Sequence, residues 1–99
     1  KEEYSLKISL ENKFIGEVVL HNFDYTGGVE VGYRLFPEYQ NKGYATEAVN
    51  AVINYAFKEL NADMVKGRCN KLNKPSYNLL MRLNMVKVNL AYPYLIYVN

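Results

Sequence analysis

The stretch that most constrains this chain is a helical stripe with a glycine-bearing loop in front of it. Ala45, Ala48, Val49, Val52, Ile53, Ala56, Phe57 and Leu60 recur at steps of three and four, while Glu47, Asn50, Asn54, Lys58 and Glu59 face away. That spacing predicts an amphipathic helix whose apolar face must be buried. Before it lies an alternating run, in which Val29, Val31, Tyr33 and Leu35 share one face and Glu30, Gly32 and Arg34 the other, as in a strand. Between strand and helix stands Gln40-Asn41-Lys42-Gly43-Tyr44-Ala45-Thr46. A helix start leaves backbone N–H groups unpartnered and is the positive end of the macrodipole. Gly43 can adopt φ > 0 and turn those groups inward, and Ala45 keeps the wall of the loop low. Residues 41–46 are therefore expected to seat a diphosphate, with Lys42 as the cation within the loop.

The remaining elements follow from alternation and turn residues. Ser5–Leu10 and Phe14–Leu20 read as a hairpin joined by Glu11-Asn12-Lys13. Pro37 stops the third strand because it lacks an N–H. Thr46, or a residue just before it, suits the start of the helix and Asn61 its end. Met64–Cys69 is a short strand, and a strand–helix–strand order suggests a parallel βαβ unit. Pro75 fits the first turn of a second helix with Ser76, Leu79, Leu80 and Leu83 on one face and Asn84 at its end. Val86–Leu90 and Tyr92–Val98 are two last strands. The order is β-β-β-α-β-α-β-β, an α/β (α+β) domain spanning residues 1–99 with a mixed, mostly antiparallel sheet.

Gln40-x-x-Gly43-x-Ala45 resembles the acetyl-CoA motif Gln/Arg-x-x-Gly-x-Gly/Ala of the GNAT N-acetyltransferases. The flanking Val31-Gly32-Tyr33-Arg34-Leu35 and Gln40 to Ala48 are most similar to the branch that holds ribosomal-protein N-terminal acetyltransferases. The resemblance runs from about Ser5 to Met85. It implies a GNAT-like acetyl-CoA-binding domain without the family's usual first strand and first two helices. Lys1 in place of an initiator Met fits a segment of a longer protein. The implied activity is acetyl transfer from acetyl-CoA to a primary amine by direct attack, with no metal. The amine would be a small molecule or a protein N-terminus. The competing reading is a catalytically inactive acyl-CoA-binding or protein-interaction module, which the missing helices favour.

The same resemblance assigns roles. Leu35 and Phe36 would offer backbone to the pantetheine arm, like an added strand. Gln40, Asn41, Lys42, Gly43, Tyr44, Ala45 and Thr46 would form the phosphate loop. Asn73-x-x-Ser76 resembles the Asn-x-x-Ser/Ala element that opens the family's last helix, so Asn73 would bond a pantetheine amide and Ser76 would stand near sulfur as a donor. The tyrosine that many family members carry one turn later is here Leu80. Glu30, on the third strand beside the loop, is the candidate base. Tyr33 and Arg34 are expected to shape the acceptor pocket. Lys42, Lys71, Lys74 and Arg82 could meet the phosphates of CoA, with Lys42 the best placed and any one of the others more readily an ordinary surface cation.

Other function classes are disfavoured. A net charge of +2 is too mild to argue for nucleic acid, and the ten tyrosines fit strand and pocket walls without any RNA-module motif. Cys69 is the only cysteine and His21 the only histidine, so neither a disulfide within the chain nor a metal-ligand set arises. The thiol fits a reducing, cytoplasmic setting. No apolar run reaches the ~18 residues of a membrane span. The apolar last strand and an uncovered sheet suggest association into a homodimer.

Overall fold

The computed structural model describes residues 3–91 and 94–98. Strands β1 (Tyr4–Leu10), β2 (Lys13–His21) and β3 (Gly28–Leu35) come first. Helix α1 (Tyr44–Lys58), β4 (Met64–Asn70), α2 (Lys74–Arg82), β5 (Val86–Ala91) and β6 (Tyr94–Val98) follow, in the element order the sequence implies. The sheet runs β1-β2-β3-β4-β6-β5. β3 and β4 are parallel, as the crossover through α1 requires, and the other pairs are antiparallel. The β1–β2 turn places Glu11 at φ 50° and Asn12 at φ 70°, a two-residue connection that matches the twist of the strands.

Both helices lie on one face of the sheet. Val18, Leu20, Val29, Val31 and Val65 meet Val49, Ile53 and Ala56 of α1, with Leu79 and Leu80 of α2 in the same core. The α1 stripe is buried as its periodicity demands, and Asn61 at φ 56° turns the chain out of the helix. The second face is polar and bears no helix among the described residues. Arg34 pairs there with Glu17 at 2.8 Å, and Arg68 with Glu30 at 2.9 Å.

The last strand departs from expectation. β6 pairs with β4 on one side and β5 on the other, so it is an inner strand. Its apolar character is explained by that position, and it offers no free edge for association. The outer strands are β1 and β5. Tyr92 and Pro93, which open the expected strand, lie outside the described residues.

Candidate functional site

The site is made by strands that part. β3 and β4 pair from Gly28↔Met64 to Val31↔Gly67, and beyond that β3 continues to Leu35 and β4 to Asn70 without pairing each other. The gap opens at the carboxyl ends of two parallel strands, where open α/β sheets place their ligands. A cleft of about 440 Å³ fills it. Its walls are Tyr33 and Leu35 from β3, Asn41 and Gly43 from the loop, and Ser76 and Leu79 from α2. A shallower depression continues around the start of α1, bordered by Asn41, Gly43, Thr46, Glu47 and Arg82.

The loop is held open by its own residues. Gln40 donates from Nε2 to the Leu35 carbonyl at 2.9 Å, which ties the loop to the end of β3. Asn41 has φ 62° and Gly43 φ 86°, two left-handed residues flanking Lys42. Gly43 is the N-cap of α1, and no side chain caps the helix there. A Cβ built on Gly43 meets nothing within 4 Å, so the backbone faces open space. Thr46 therefore does not act as the expected cap. It is the third helical residue, and its hydroxyl accepts a hydrogen bond from Arg82 Nη2 at 3.3 Å. The first-turn N–H groups of α1 are left without a side-chain acceptor, which suits an anion.

Two cations stand at the cleft, Arg34 and Arg82, and Lys42, which the sequence favours, borders neither the cleft nor the depression. Arg34 gives its guanidinium to Glu17, while Arg82 borders both the cleft and the depression. Sequence reasoning ranked Lys42 first because it lies in the loop. Nothing local in the sequence brings the last turn of α2 beside the first turn of α1. Tyr44 and Phe36 are also absent from the cleft walls. Phe36 gives its N–H to the Ile15 carbonyl at 3.0 Å and receives Tyr39 N–H on its own carbonyl at 2.9 Å, while its ring meets Phe14 edge-on. Its backbone is thus already used, and of the expected pair only Leu35 stands at the cleft.

Asn73 and Ser76 stand at the start of α2, and both line the cleft. Asn73 caps α2, its Oδ1 accepting from Ser76 N–H at 3.3 Å. That leaves the Nδ2 amide as the donating part of the side chain. The Ser76 hydroxyl lies 3.2 Å from the Tyr33 phenol, a contact across the cleft that the sequence did not reveal. α2 is seated on Gly67, where a Cβ would come within 2.8 Å of Leu80.

Glu30 is placed differently from its expected role. It belongs to the polar face of the sheet and is not among the residues that wall the cleft. Asn22 Nδ2 donates to its Oε1 at 2.9 Å, and Arg68 donates to both its oxygens at 2.9 and 3.2 Å. Burial by itself pushes the carboxyl up, but the bonds from Arg68 and Asn22 and the Arg68 charge outweigh it and hold the group below its ordinary 4.5. A carboxylate so held is a weak base and a good ion-pair partner. Because folding lowers this pKa, Glu30 stabilises the fold above pH 4.5, and the contribution is lost as pH falls through the folded value. Glu30→Gln is therefore expected to lower stability at pH 7 and to cost progressively less as pH falls below 4.5, read by urea unfolding across that range. An equal cost at every pH would remove the ion-pair account.

One other titratable group is structural. Cys69 is buried, and burial pushes its thiol up, away from reactivity. Among the described residues no three of His, Cys, Asp and Glu gather into a metal-binding group, and no helix is long and apolar enough to cross a membrane.

Comparison with known proteins agrees with this geometry. The model of the acetyltransferase (GNAT) domain matches residues 1–86. An uncharacterised N-acetyltransferase, YnaD of Bacillus subtilis (strain 168), is 34% identical over 84 residues, covering 85% of this chain and 49% of the relative. The ribosomal-protein-S5-alanine acetyltransferase of Vibrio fischeri superposes with a TM-score of 0.81 at 29% identity, over 90% of this chain and 55% of that one. RimJ of Mycobacterium smegmatis, solved in complex with CoA-disulfide, has a TM-score of 0.91 at 16% identity, over 98% of this chain and 52% of that one, and speaks for the fold alone. The chain spans about half the length of the curated relatives it matches. With two thirds and more of its residues inside that domain model, and with the motif seated at an uncapped helix start, the chain belongs to the GNAT family of acetyltransferases.

Proposed function

We propose that this chain binds acetyl-CoA in the β3–β4 cleft and transfers the acetyl group to a primary amine. The observation that carries the reading is the uncapped start of α1, with Gly43 at φ 86° facing open space at the mouth of the cleft. The residues present fit the group. The first-turn N–H groups and Arg82 would take the diphosphate. Leu35, at the end of β3 that does not pair with β4, would take the pantetheine arm with the Asn73 amide opposite. Bound there, acetyl-CoA supplies an acetyl carbon made electrophilic by its thioester. Ser76 would donate a hydrogen bond to the sulfur as it departs. The cleft holds no carboxylate among the described residues, so the amine is taken to lose its proton to water.

The relatives' printed names include an S5-alanine acetyltransferase and a spermidine N-acetyltransferase, which supports an amine acceptor and leaves protein N-terminus and polyamine side by side. A second reading is an acyl-CoA-binding module without turnover, favoured by the absence of a carboxylate in the cleft walls. A thiol-release assay over a panel of amines, run beside calorimetric titration of CoA, separates the two. Binding with release on any amine supports the enzyme, and binding without release supports the module. No binding removes both. The edges open to a homodimer are β1 and β5, with Val86 and Val88 exposed on β5, whereas β6 is enclosed. The location is proposed to be cytoplasmic, where acetyl-CoA is at hand.

The phosphate assignment has its own test. Arg82→Ala is expected to weaken CoA binding by roughly ten- to a hundredfold and to flatten its salt dependence, since a charge-assisted hydrogen bond contributes roughly 1.5–3 kcal/mol. Lys42→Ala is expected to change it by less than about threefold, as befits a screened surface charge. Titrations at two salt concentrations check the order, and a larger effect at Lys42 would reverse the assignment.

A further inference from the structure

We propose that Tyr33 is a positioning residue that aims the Ser76 hydroxyl at the thioester sulfur. The inference rests on the acetyl-CoA reading above. Tyr33 lies on β3 two residues past Val31, the last residue paired to β4, so its ring enters the cleft just where the strands part. The ring is half-buried and packs against the core, which fixes the phenol. Ser76 is the third residue of α2, and its own N–H is held by the Asn73 cap. The two hydroxyls come within 3.2 Å, joining elements 43 residues apart.

A serine hydroxyl carries one hydrogen and turns to suit its partners. Either oxygen of this pair can be the donor. If Ser76 donates to Tyr33, the serine turns lone pairs toward the cleft and repels a departing thiolate. If Tyr33 donates to Ser76, the serine hydrogen is released to the cleft and meets the sulfur. A negative charge growing on sulfur selects the second arrangement, and each hydrogen bond then strengthens the next. Ser76 is the only hydroxyl that α2 contributes to the cleft walls among the described residues, and the Thr46 hydroxyl lies beside Arg82 at the start of α1. The phenol therefore decides which way the one available serine points. When the carbon–sulfur bond breaks, its electron pair stays on sulfur, and the Ser76 hydrogen bond shares that charge. The proton that completes the thiol is the one released by the amine, carried by water, so Tyr33 keeps its own.

The test reads the sulfur directly and needs no acceptor amine. The 99-residue chain is loaded with CoA, and the ultraviolet absorbance of the bound thiolate is followed against pH. Ser76→Ala is expected to raise the bound thiol pKa by about one unit, a tenfold change in ionisation, because a hydrogen bond to a charged group is lost. Tyr33→Phe is expected to raise it by about half a unit, with the circular dichroism spectrum unchanged. The double variant should move it no further than Ser76→Ala alone, since the phenol acts through the serine. A thiol titration untouched by Tyr33→Phe, or two shifts that add, would overturn the proposal while leaving CoA binding in place. Failure of the unmodified chain to bind CoA would remove the acetyltransferase reading, and this proposal with it.

Discussion

Gly43→Asp is expected to lower CoA affinity about a thousandfold while the domain stays folded. The structure sharpens the reason. A side chain at residue 43 would collide with no protein atom, since nothing lies within 4 Å of a built Cβ. It would occupy the space in front of the helix start that the diphosphate needs. Two like charges about 4 Å apart interact by roughly 4 kcal/mol at an effective dielectric near 20, which is about a thousandfold in affinity. The fold should bear the change. The left-handed φ of 86° strains a non-glycine residue, but Asp is among those that tolerate it, and its charge suits the positive end of α1. Gly43→Asn separates the causes, because it has the same bulk and backbone preference without the charge. It is expected to weaken binding about tenfold. Calorimetric titration of CoA into each variant, with circular dichroism for the fold, checks both. Wild-type affinity in Gly43→Asp would show that the loop is not the phosphate cradle.

Much of this site is legible in local sequence, and what is not depends on contacts between distant elements. The 3.6-residue stripe over Ala45–Leu60 yields α1, and the alternation of Val29–Leu35 yields β3, because each pattern has one burial solution. A glycine between them then places the loop at a helix start without further information. Asn73 was legible for the same reason: an Asn ahead of Lys74-Pro75 is a local capping signal. Arg82 and the Tyr33–Ser76 pair were not. Each depends on where α2 settles on the sheet, and no short-range pattern records that. For Glu30 the strand and the face are legible, but its partners Asn22 and Arg68 come from the β2–β3 loop and from β4, and no local pattern announces that ion pair. The apolar run of β6 was legible as a strand and not as an inner one, since the β6–β4 pairing is a long-range event.

The seat of α2 gives the second large effect. Leu80 is 4% exposed and lies against Gly67 of β4. Leu80→Ala removes buried carbons from a small core and is expected to cost roughly 2–5 kcal/mol. That is a large share of the roughly 5–15 kcal/mol that holds a domain together. It should also weaken CoA binding, because α2 carries Asn73, Ser76 and Arg82 to the cleft. Gly67→Ala fails for the opposite reason. Its methyl would come within 2.8 Å of Leu80 Cδ2 and 3.0 Å of Cδ1, and a packed leucine has little room to retreat, so the overpacking is expected to cost roughly 1–3 kcal/mol. In combination the sign should change. The atoms that the added methyl meets are the ones Leu80→Ala takes away, so in that background Gly67→Ala fills part of the cavity. It should then stabilise by about 0.8 kcal/mol, the value of one buried methylene. Urea unfolding of the two single variants and the double variant measures this coupling. If Gly67→Ala destabilises the Leu80→Ala protein as much as it does the parent, the two side chains do not share that space, and α2 is held on the sheet by something other than the glycine.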